Sequence, residues 1–308
     1  MILIISINND YSTTAVIEWL NFFNKKWFRV NDDDIIHLNF LGSDIEFHIN
    51  NFKFKLNEIE SCWYRRGFLN LKFNINNEIK QFHDFNTTEA SKIEQYIYYK
   101  LNLLKKVNYY SNSEINKLIV SDIARNLEIK TPNDYLVNSK NELKEIMTNG
   151  KQEFITKSIW GNPVHRFNNF TLFNYTQKIE LEKIETNNFV VSLVQNYIEK
   201  KYELRIFYLE KSFYTMAIFS QNDTKSAVDF RNYNKEKPNR TVPYKLPFTI
   251  QQKLIKLMDK FDLNCGSIDM IVDKNNDFVF LEVNPIGQFG MVSTPCNYNL
   301  ESIIAKHL

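Results

Sequence analysis

The segment FLEVNPIGQFG, residues 280–290, places two oxygen-bearing side chains inside an otherwise apolar strand pattern. Glu282 and Asn284 are two residues apart, so in a strand both point to one face while their apolar neighbours point to the other. Asp269 lies in the preceding apolar segment SIDMIVD, and a hairpin between the segments would bring it beside them. Two carboxylates and an amide oxygen suit Mg²⁺. The alternative is that Glu282 and Asn284 face solvent on a half-exposed strand.

A magnesium site of this kind is usually completed by substrate phosphates, which implies a nucleotide. The chain has seven glycines and no GxxxxGK[ST] or GxGxxG motif, which excludes a P-loop and a dinucleotide fingerprint. Positive side chains must therefore neutralise the phosphates. In the expected strand FITKS, Lys157 points to the same face as Ile155 and opposite to Thr156. A lysine in such an apolar setting either extends its amine to solvent or binds phosphate. Lys117 is a second candidate, with a solvated helix face as its alternative.

The composition is that of a globular protein without a strong charge bias. The chain has 308 residues, 44% of them hydrophobic, enough for a large core in two or three lobes. A net charge of +2 argues against a dedicated nucleic-acid-binding protein. Three cysteines, Cys62, Cys265 and Cys296, lack CxxC spacing, so a reducing, cytoplasmic setting is expected. No apolar run reaches the about 18 residues of a membrane span, and MILIISI is too short for a secretion signal.

Apolar patterns predict an α/β start. MILIISI is expected to be a buried strand, and STTAVIEWLNFF a helix capped by Ser12 or Thr13. IEFHIN and FKFKL are expected to pair as a hairpin, and TTEASKIEQYIYYKLNLLKK to form a long helix. The first domain boundary is therefore placed near residue 110.

The remaining patterns predict α+β structure. Two capping boxes, Ser111 with Glu114 and Ser139 with Glu142, predict helix starts, the second helix ending at Gly150. A further helix is expected to begin at a Thr249 cap, followed by a hairpin of SIDMIVD and FVFLEVN that turns between Asp273 and Asp277. The predicted domains are 1–110 (N-terminal α/β), 111–195 (central α+β) and 196–308 (C-terminal, with the metal site).

The order of these parts resembles the ATP-grasp superfamily: a lysine on a helix, a lysine on a strand, then VQNYI, YELR, and an aspartate followed by LEVN. Within it the chain is most similar to the peptide-maturing ligases that make graspetides, the microviridin-type and grasp-with-spasm enzymes. That similarity is carried by WYRR (63–66), by LRIF together with SQNDTKSAVDFRNY (204–233), and by LEVNPIGQFGMVSTPCNY (281–298). The resemblance implies an ATP-grasp fold with an N-terminal α/β lobe, a central lid subdomain and a C-terminal ATP- and Mg-binding subdomain.

The resemblance also implies roles for individual residues. Lys117 and Lys157 would contact the phosphates of ATP, and Glu203 would hold the ribose hydroxyls. The adenine would meet the backbone of the hinge residues Gln195, Asn196, Tyr197 and Ile198. Two Mg²⁺ ions would be bound by Asp269, Glu282 and Asn284, with Glu282 bridging them.

The implied reaction moves the γ-phosphoryl group of ATP to a substrate carboxylate and then joins the acyl group to a hydroxyl or amine. Both steps need positive charge beside the reacting oxygens, and guanidinium groups bind phosphate and carboxylate bidentately. Arg205, two residues from Glu203, is the favoured candidate. Arg231 and Arg240 are the others, and each could instead form a surface ion pair.

The implied substrate is a ribosomal precursor peptide with a leader and a core, and the resemblance also implies that the enzyme can form a homodimer. Arg65 and Arg66 could clamp acidic side chains of this peptide or pair with neighbouring acids. The leader is expected to dock on residues 166–200, which hold the acidic residues Glu180, Glu182 and Glu185. Two alternatives remain open: a ligase that adds free amino acids to a peptide or protein tail, and a non-catalytic ATP-binding scaffold.

Overall fold

The computed structural model describes residues 1–42, 44–73, 82–148, 152–161, 164–221, 228–229 and 238–308. The chain forms two compact units, one made of Met1–Ser113 with Pro285–Leu308 and the other of Glu114–Asn284. The mixed α/β architecture expected from the sequence is confirmed. The division at residues 110 and 195 stays a prediction. Among the described residues, no helix is long and apolar enough to cross a membrane.

The helices and strands follow one another in chain order. The elements before residue 114 are β1 (Ile2–Ser6), α1 (Tyr11–Phe22), β2 (Trp27–Asn31), β3 (Ile35–Leu41), β4 (Asp44–Ile49), β5 (Phe52–Lys55), β6 (Ser61–Tyr64), β7 (Asn70–Lys72), α2 (His83–Asn102) and β8 (Lys105–Val107). Next come α3 (Lys117–Asn126), β9 (Asp134–Ser139), α4 (Lys140–Thr148), β10 (Phe154–Lys157), β11 (Val164–Arg166), β12 (Thr171–Phe173), β13 (Gln177–Lys178), β14 (Asn188–Asn196), β15 (Lys200–Leu209), β16 (Ser212–Phe219), β17 (Arg240–Tyr244), α5 (Phe248–Lys260), β18 (Cys265–Asp273) and β19 (Phe278–Asn284). The chain ends with α6 (Gly290–Ser293) and α7 (Leu300–His307).

The first unit contains a parallel sheet in the order β2-β1-β6-β8. Every residue of β1 is buried, as expected for a central strand of a parallel sheet. Helix α1 begins after Asp10, whose Oδ1 accepts a hydrogen bond of 2.8 Å from the backbone N–H of Thr13. The prediction of Ser12 or Thr13 as the N-cap was wrong, because the Asp10 carboxylate satisfies that donor two or three residues earlier.

A second sheet of this unit has the order β5-β4-β3-β7. The predicted hairpin is confirmed as the antiparallel pair β4 and β5, with Phe47 opposite Phe54. These two rings stack with centroids 5.2 Å apart, which places aromatic area in the core of the unit. The long helix α2 ends at Asn102, earlier than expected, because Lys105–Val107 pairs with β6 instead.

The second unit confirms one of the two predicted capping boxes. The backbone N–H of Glu142 donates to Ser139 Oγ, and that of Ser139 donates to Glu142 Oε2, both at 3.2 Å. Helix α4 is described as far as Thr148, so its predicted end at Gly150 lies outside the described residues.

The other predicted helix starts were wrong. Helix α3 begins at Lys117, because Asn116 Oδ1 accepts from the backbone N–H groups of the first turn. The Ser111–Glu114 segment instead overlaps a short 3₁₀ turn, Tyr110–Asn112. Helix α5 begins at Phe248 directly after Pro247, one residue before the expected Thr249 cap.

Two antiparallel sheets build the second unit, in the orders β13-β10-β14-β9 and β17-β16-β15-β18-β19. The larger sheet packs against α3 and α5 through a common apolar core. That core includes Val120, Ala124, Leu204, Ile206, Leu254, Leu257, Met258, Ile268, Met270 and Phe280. The predicted hairpin of SIDMIVD and FVFLEVN is confirmed as β18 and β19.

Candidate active site

A cavity in the second unit is lined by residues from both antiparallel sheets and from the start of α3. Most residues singled out from the sequence lie around it. These are Lys117, Lys157, Gln195, Asn196, Tyr197, Ile198, Glu203, Asp269 and Glu282. Ile155 and Lys157 both line it while Thr156 does not, so the predicted alternation along β10 is confirmed.

The two carboxylates meet at the β18–β19 hairpin, where Asp269 is directly opposite Glu282. The pairing shifts at this point, since the next partners are Met270 and Phe280. Leu281 is the extra residue of this bulge, and it lines the cavity instead of packing behind it. The expected packing of Leu281 was wrong because a bulge interrupts the alternation of side chains.

Asn284 lies opposite Ser267, is exposed, and is not among the lining residues of the cavity. Within the described ranges, no three His, Cys, Asp or Glu side chains cluster as a metal site would require. The candidate metal ligands are therefore the carboxylates of Asp269 and Glu282, with the amide of Asn284 two residues further along β19. Such a sparse oxygen set fits Mg²⁺, which keeps waters and takes further ligands from phosphates.

Lys117 is held beside one of these carboxylates. It is the first residue of α3, and its Nζ lies 3.0 Å from Glu282 Oε2 and 3.5 Å from the backbone oxygen of Ser158. Both partners of the ion pair are mostly buried, with side chains 15% and 17% exposed. A helix N-terminus and an amine together favour negative charge, so this corner of the cavity suits phosphate.

Arg205 is held beside the other carboxylate. It is opposite Asp269 in the pairing of β15 with β18, and its Nη1 donates a hydrogen bond to Asp269 Oδ2. Arg205 does not itself line the cavity, although Asp269 does. Its Nε is buried without a hydrogen-bond partner in the part of the chain that is described. The guanidinium therefore contacts a residue of the cavity wall without lining the cavity itself.

The end of β14, where the predicted hinge begins, has a polar group that fits an adenine. Gln195 is 2% exposed and its Nε2 donates to Asp134 Oδ1 at 2.6 Å. Its Oε1 is buried and accepts no hydrogen bond from any described residue. A buried acceptor without a partner is costly, and an amino group such as that of adenine would satisfy it. The backbone N–H of Tyr197 already donates to Glu153 O at 2.7 Å.

Lys200 was missed in the sequence analysis. Its side chain is 2% exposed, lines the cavity and forms an ion pair with Glu203. Ser220 Oγ donates to the same carboxylate oxygen, Glu203 Oε1, at 2.7 Å. Burial raises the pKa of Glu203, and the charge and hydrogen bond of Lys200 oppose that rise. The sequence does contain two adjacent lysines in KKYELR. Strand alternation alone does not show that Lys200 is the one that faces the cavity.

Asp229 was missed too. It is buried, lines the cavity, and its Oδ2 accepts a hydrogen bond of 3.1 Å from the backbone N–H of Thr176. The carboxylate therefore anchors the segment before β13 to the cavity wall. It lies in the segment SQNDTKSAVDFRNY, which carried part of the resemblance.

Neither of the two remaining candidate arginines is found at this cavity in the part of the chain that the structure describes. Arg240 is exposed on β17, with its guanidinium 5.4 Å from the ring centroid of Phe219. Arg231 lies outside the described residues. The catalytic roles of both stay predictions.

Arg65 and Arg66 follow β6 in the first unit and share one acid. Their Nε atoms lie 3.6 and 3.4 Å from the two oxygens of Asp10. Arg65 is 3% exposed and also donates from Nη1 to the backbone oxygen of Ile286 at 2.5 Å. These contacts favour pairing with a neighbouring acid for Arg65, and leave Arg66, 33% exposed, as the more accessible of the two.

Lysines from a helix and a strand, a polar hinge, and opposed carboxylates on a hairpin together define an ATP-grasp type of nucleotide site. Residues 114–308 match the family described as RimK-like ATP-grasp domain. The chain therefore belongs to the RimK-like ATP-grasp family, and the superfamily expected from the sequence is confirmed. No curated protein sequence matches the chain.

Solved structures of peptide-modifying ATP-grasp ligases share the fold. A RiPP-associated ligase from Chryseobacterium gregarium, in complex with ADP and a leader and core peptide, has a TM-score of 0.80 and 23% identity, over 99% of this chain and 94% of that one. Macrocyclase MdnC from Microcystis aeruginosa MRC, bound with precursor peptide MdnA, has a TM-score of 0.77 and 24% identity, over 99% and 98%. The ligase PsnB, complexed with minimal precursor, Mg and ADP, has a TM-score of 0.70 and 11% identity, over 99% and 96%.

Proposed function

We propose that the protein is an ATP-dependent ligase that cross-links side chains of a ribosomal precursor peptide. It activates Asp or Glu carboxylates as acylphosphates and joins them to Ser or Thr hydroxyls as esters, or to Lys amines as amides. The observation that carries the proposal is the direct opposition of Asp269 and Glu282 in a cavity that also contains Lys117 and Lys157. The precursor peptides bound in the structural neighbours support the choice of substrate.

In this proposal ATP lies along the cavity from the hinge to the hairpin. Gln195 and the hinge backbone meet the adenine, Glu203 holds the ribose, and Lys117 and Lys157 neutralise the phosphates. Asp269, Glu282 and Asn284 hold two Mg²⁺ ions. When bound, these ions would supply positive charge that offsets the negative charge developing on the phosphates during transfer.

The chain's own side chains then act in two steps. A substrate carboxylate oxygen attacks the γ-phosphorus and ADP departs, while Lys117 and Lys157 keep the phosphates in position. A hydroxyl or amine then attacks the acyl carbon and phosphate departs, a step that needs positive charge near the oxyanion. Arg205, hydrogen-bonded to Asp269, supplies that charge, with Arg231 and Arg240 as the other candidates.

The proposed partner is a precursor peptide with a leader and a core. A flexible core pays a large ordering entropy at the active site, so a docked leader raises its effective concentration there. The leader docks on residues 166–200, where Glu180, Glu182 and Glu185 are exposed. Arg66 is the accessible candidate for binding acidic core side chains. The enzyme is proposed to act in the cytoplasm, as a homodimer.

A ligase that adds free amino acids is the second candidate, because the family match is to a RimK-like domain and the ATP site would be the same. A non-catalytic scaffold is disfavoured by the presence of both candidate metal carboxylates. The test first asks whether an open reading frame beside the gene encodes a short peptide with a core rich in Thr/Ser and Asp/Glu, and then incubates that peptide with the protein and Mg-ATP for mass spectrometry. Each cross-link removes one water, about 18 Da, and consumes one ATP. A mass increase would indicate amino-acid addition, and ATP that is bound but not converted to ADP, with no new peptide mass, would indicate the scaffold.

A further inference from the structure

The start of β15 contains an irregularity that brings two opposite charges together. Lys200 and Glu203 are three residues apart, so a regular strand would point them to opposite faces. The pairing of β15 with β18 shifts between Lys200 and Tyr202, since their partners are the consecutive residues Asp273 and Val272. The extra residue resets the alternation. Both charged side chains therefore line the same cavity.

The two oxygens of Glu203 have different surroundings. Oε1 is contacted by Lys200 Nζ and accepts a hydrogen bond of 2.7 Å from Ser220 Oγ. Oε2 accepts no hydrogen bond from the described residues. Lys200 and Ser220 thus fix the carboxylate by one oxygen and leave the other available to a ligand in the cavity.

A buried carboxylate of this kind depends on its cation. The side chains of Lys200 and Glu203 are only 2% and 9% exposed, and an isolated buried carboxylate is strongly disfavoured relative to its protonated form. Hydrogen bonds to an ionised acceptor are roughly twice as strong as those between neutral groups. Loss of the lysine charge would therefore weaken what Glu203 can offer to a hydroxyl group.

We propose that Lys200 is the positioning residue that sets the preference of this site for a ribonucleotide, by holding Glu203 as an oriented carboxylate whose Oε2 accepts hydrogen bonds from the ribose hydroxyls. The inference rests on the proposed function, in which Glu203 binds the ribose. It adds a residue that acts through Glu203 and does not itself touch the sugar.

The neighbouring lysine provides a matched control. Lys201 is exposed, its Nζ donates to Asn276 Oδ1 at 2.8 Å, and it is not a lining residue of the cavity. Lys201→Met makes the same chemical change as Lys200→Met one residue away. A general effect of removing positive charge from β15 would appear in both variants.

The experiment measures dissociation constants for Mg-ATP and Mg-2′-deoxy-ATP by calorimetry on the full chain. Wild type and Lys201→Met are expected to bind ATP at least about tenfold more tightly than 2′-deoxy-ATP. The reason is that 2′-deoxy-ATP lacks the hydroxyl group that would make a charge-assisted hydrogen bond with Glu203. Lys200→Met is expected to bring this ratio to within about twofold, as is Glu203→Gln. The ratio of the two dissociation constants is insensitive to a partial loss of folded protein, because that loss lowers the apparent affinity for both nucleotides equally.

A second variant covers the case in which Lys200→Met does not fold, since removal of one partner of a buried pair is strongly destabilising. Lys200→Met combined with Glu203→Gln removes both charges, and it is expected to melt at a higher temperature than Lys200→Met while binding the two nucleotides equally. An unchanged ratio in Lys200→Met, or a wild-type ratio in the double variant, would overturn the inference. Equal weakening of the binding of both nucleotides leaves the ratio unchanged and therefore also overturns the inference. Wild type that binds neither nucleotide would remove the proposed function itself.

Discussion

Arg205 and Asp269 lie directly opposite each other in the pairing of β15 with β18, and Arg205 Nη1 donates a hydrogen bond to Asp269 Oδ2. Glu282, opposite Asp269 on the next strand, has Lys117 as its ion-pair partner at 3.0 Å. Each candidate metal carboxylate is thus matched with a cation from another element. The charges that the proposed reaction needs are assembled as two pairs rather than as an isolated acidic cluster.

Glu282→Gln should reduce turnover by several orders of magnitude while the fold survives. The substitution keeps the shape of the side chain but removes the charge that we propose bridges two Mg²⁺ ions. Asn284→Ala should cause a smaller loss, because a neutral ligand contributes less to charge neutralisation. The measurement is the rate of peptide cross-linking together with the melting temperature. Activity within about threefold of wild type would contradict the metal assignment.

Arg205→Lys should lower kcat while the affinity for ATP is largely kept. An ammonium group cannot reproduce the bidentate geometry of a guanidinium toward phosphoryl or carboxylate oxygens. Arg240→Lys is measured in parallel, because Arg240 is another candidate for the same role and, unlike Arg205, is exposed. Steady-state kinetics with saturating peptide separate the two effects. An unchanged kcat in Arg205→Lys would transfer the role to Arg231 or Arg240.

Asp273→Asn should cost stability at neutral pH and progressively less in acid. Burial acts to raise the pKa of Asp273, but hydrogen bonds from the backbone of Asp277 and Asn275 and from Lys130 outweigh it, so the pKa lies below the usual 3.8. A carboxyl with a lowered folded-state pKa stabilises the fold above its unfolded-state pKa, and loses that contribution as the pH falls through the folded-state value.

Urea unfolding of the wild type and of Asp273→Asn checks this linkage. The difference between them should be full above about pH 4 and should shrink below it. Asp259→Asn, at an exposed position on α5, should change stability little throughout. A difference between wild type and Asp273→Asn that stays constant into acid would refute the assignment.

Gly67→Ala should destabilise the protein more than Gly42→Ala. Both glycines have positive φ, +74° and +65°, so an added Cβ costs roughly 1–2 kcal/mol at either position from backbone strain alone. A Cβ at Gly67 would also lie 2.7 Å from the backbone oxygen of Ser6, whereas at Gly42 nothing lies within 4 Å. The difference in melting temperature between the two variants measures the cost of the clash with Ser6. Equal melting temperatures would show that the loop after β6 can shift to avoid it.

Leader docking predicts that the full precursor is processed fastest and the core alone slowest. A leader supplied in trans should restore the rate only in part, because the covalent tether that raises effective concentration is lost. The three reactions are compared by mass spectrometry under excess Mg-ATP. Equal rates for core alone and full precursor would exclude a leader site on residues 166–200 or elsewhere on the chain.

Local patterns were sufficient for much of the fold and of the candidate site. The alternation in SIDMIVD and FVFLEVN predicted the hairpin that sets Asp269 opposite Glu282, because strand periodicity is a property of neighbouring residues. The same reasoning placed Lys157 on the face of Ile155. Helix starts were less predictable, because several nearby polar residues can cap the same backbone donors. Asp10 and Asn116 are the N-caps in the structure, in place of the residues expected.

The sequence by itself therefore determined the elements, the family and the residue types that surround the cavity. Tertiary structure decided which of those side chains face inward. The bulges at Leu281 and Lys201 arise from the register between paired strands, and that register depends on residues distant in sequence. For this reason Lys200 rather than Lys201 reaches Glu203, and Leu281 reaches the cavity. One extra residue in a strand reverses the alternation that the sequence alone would predict.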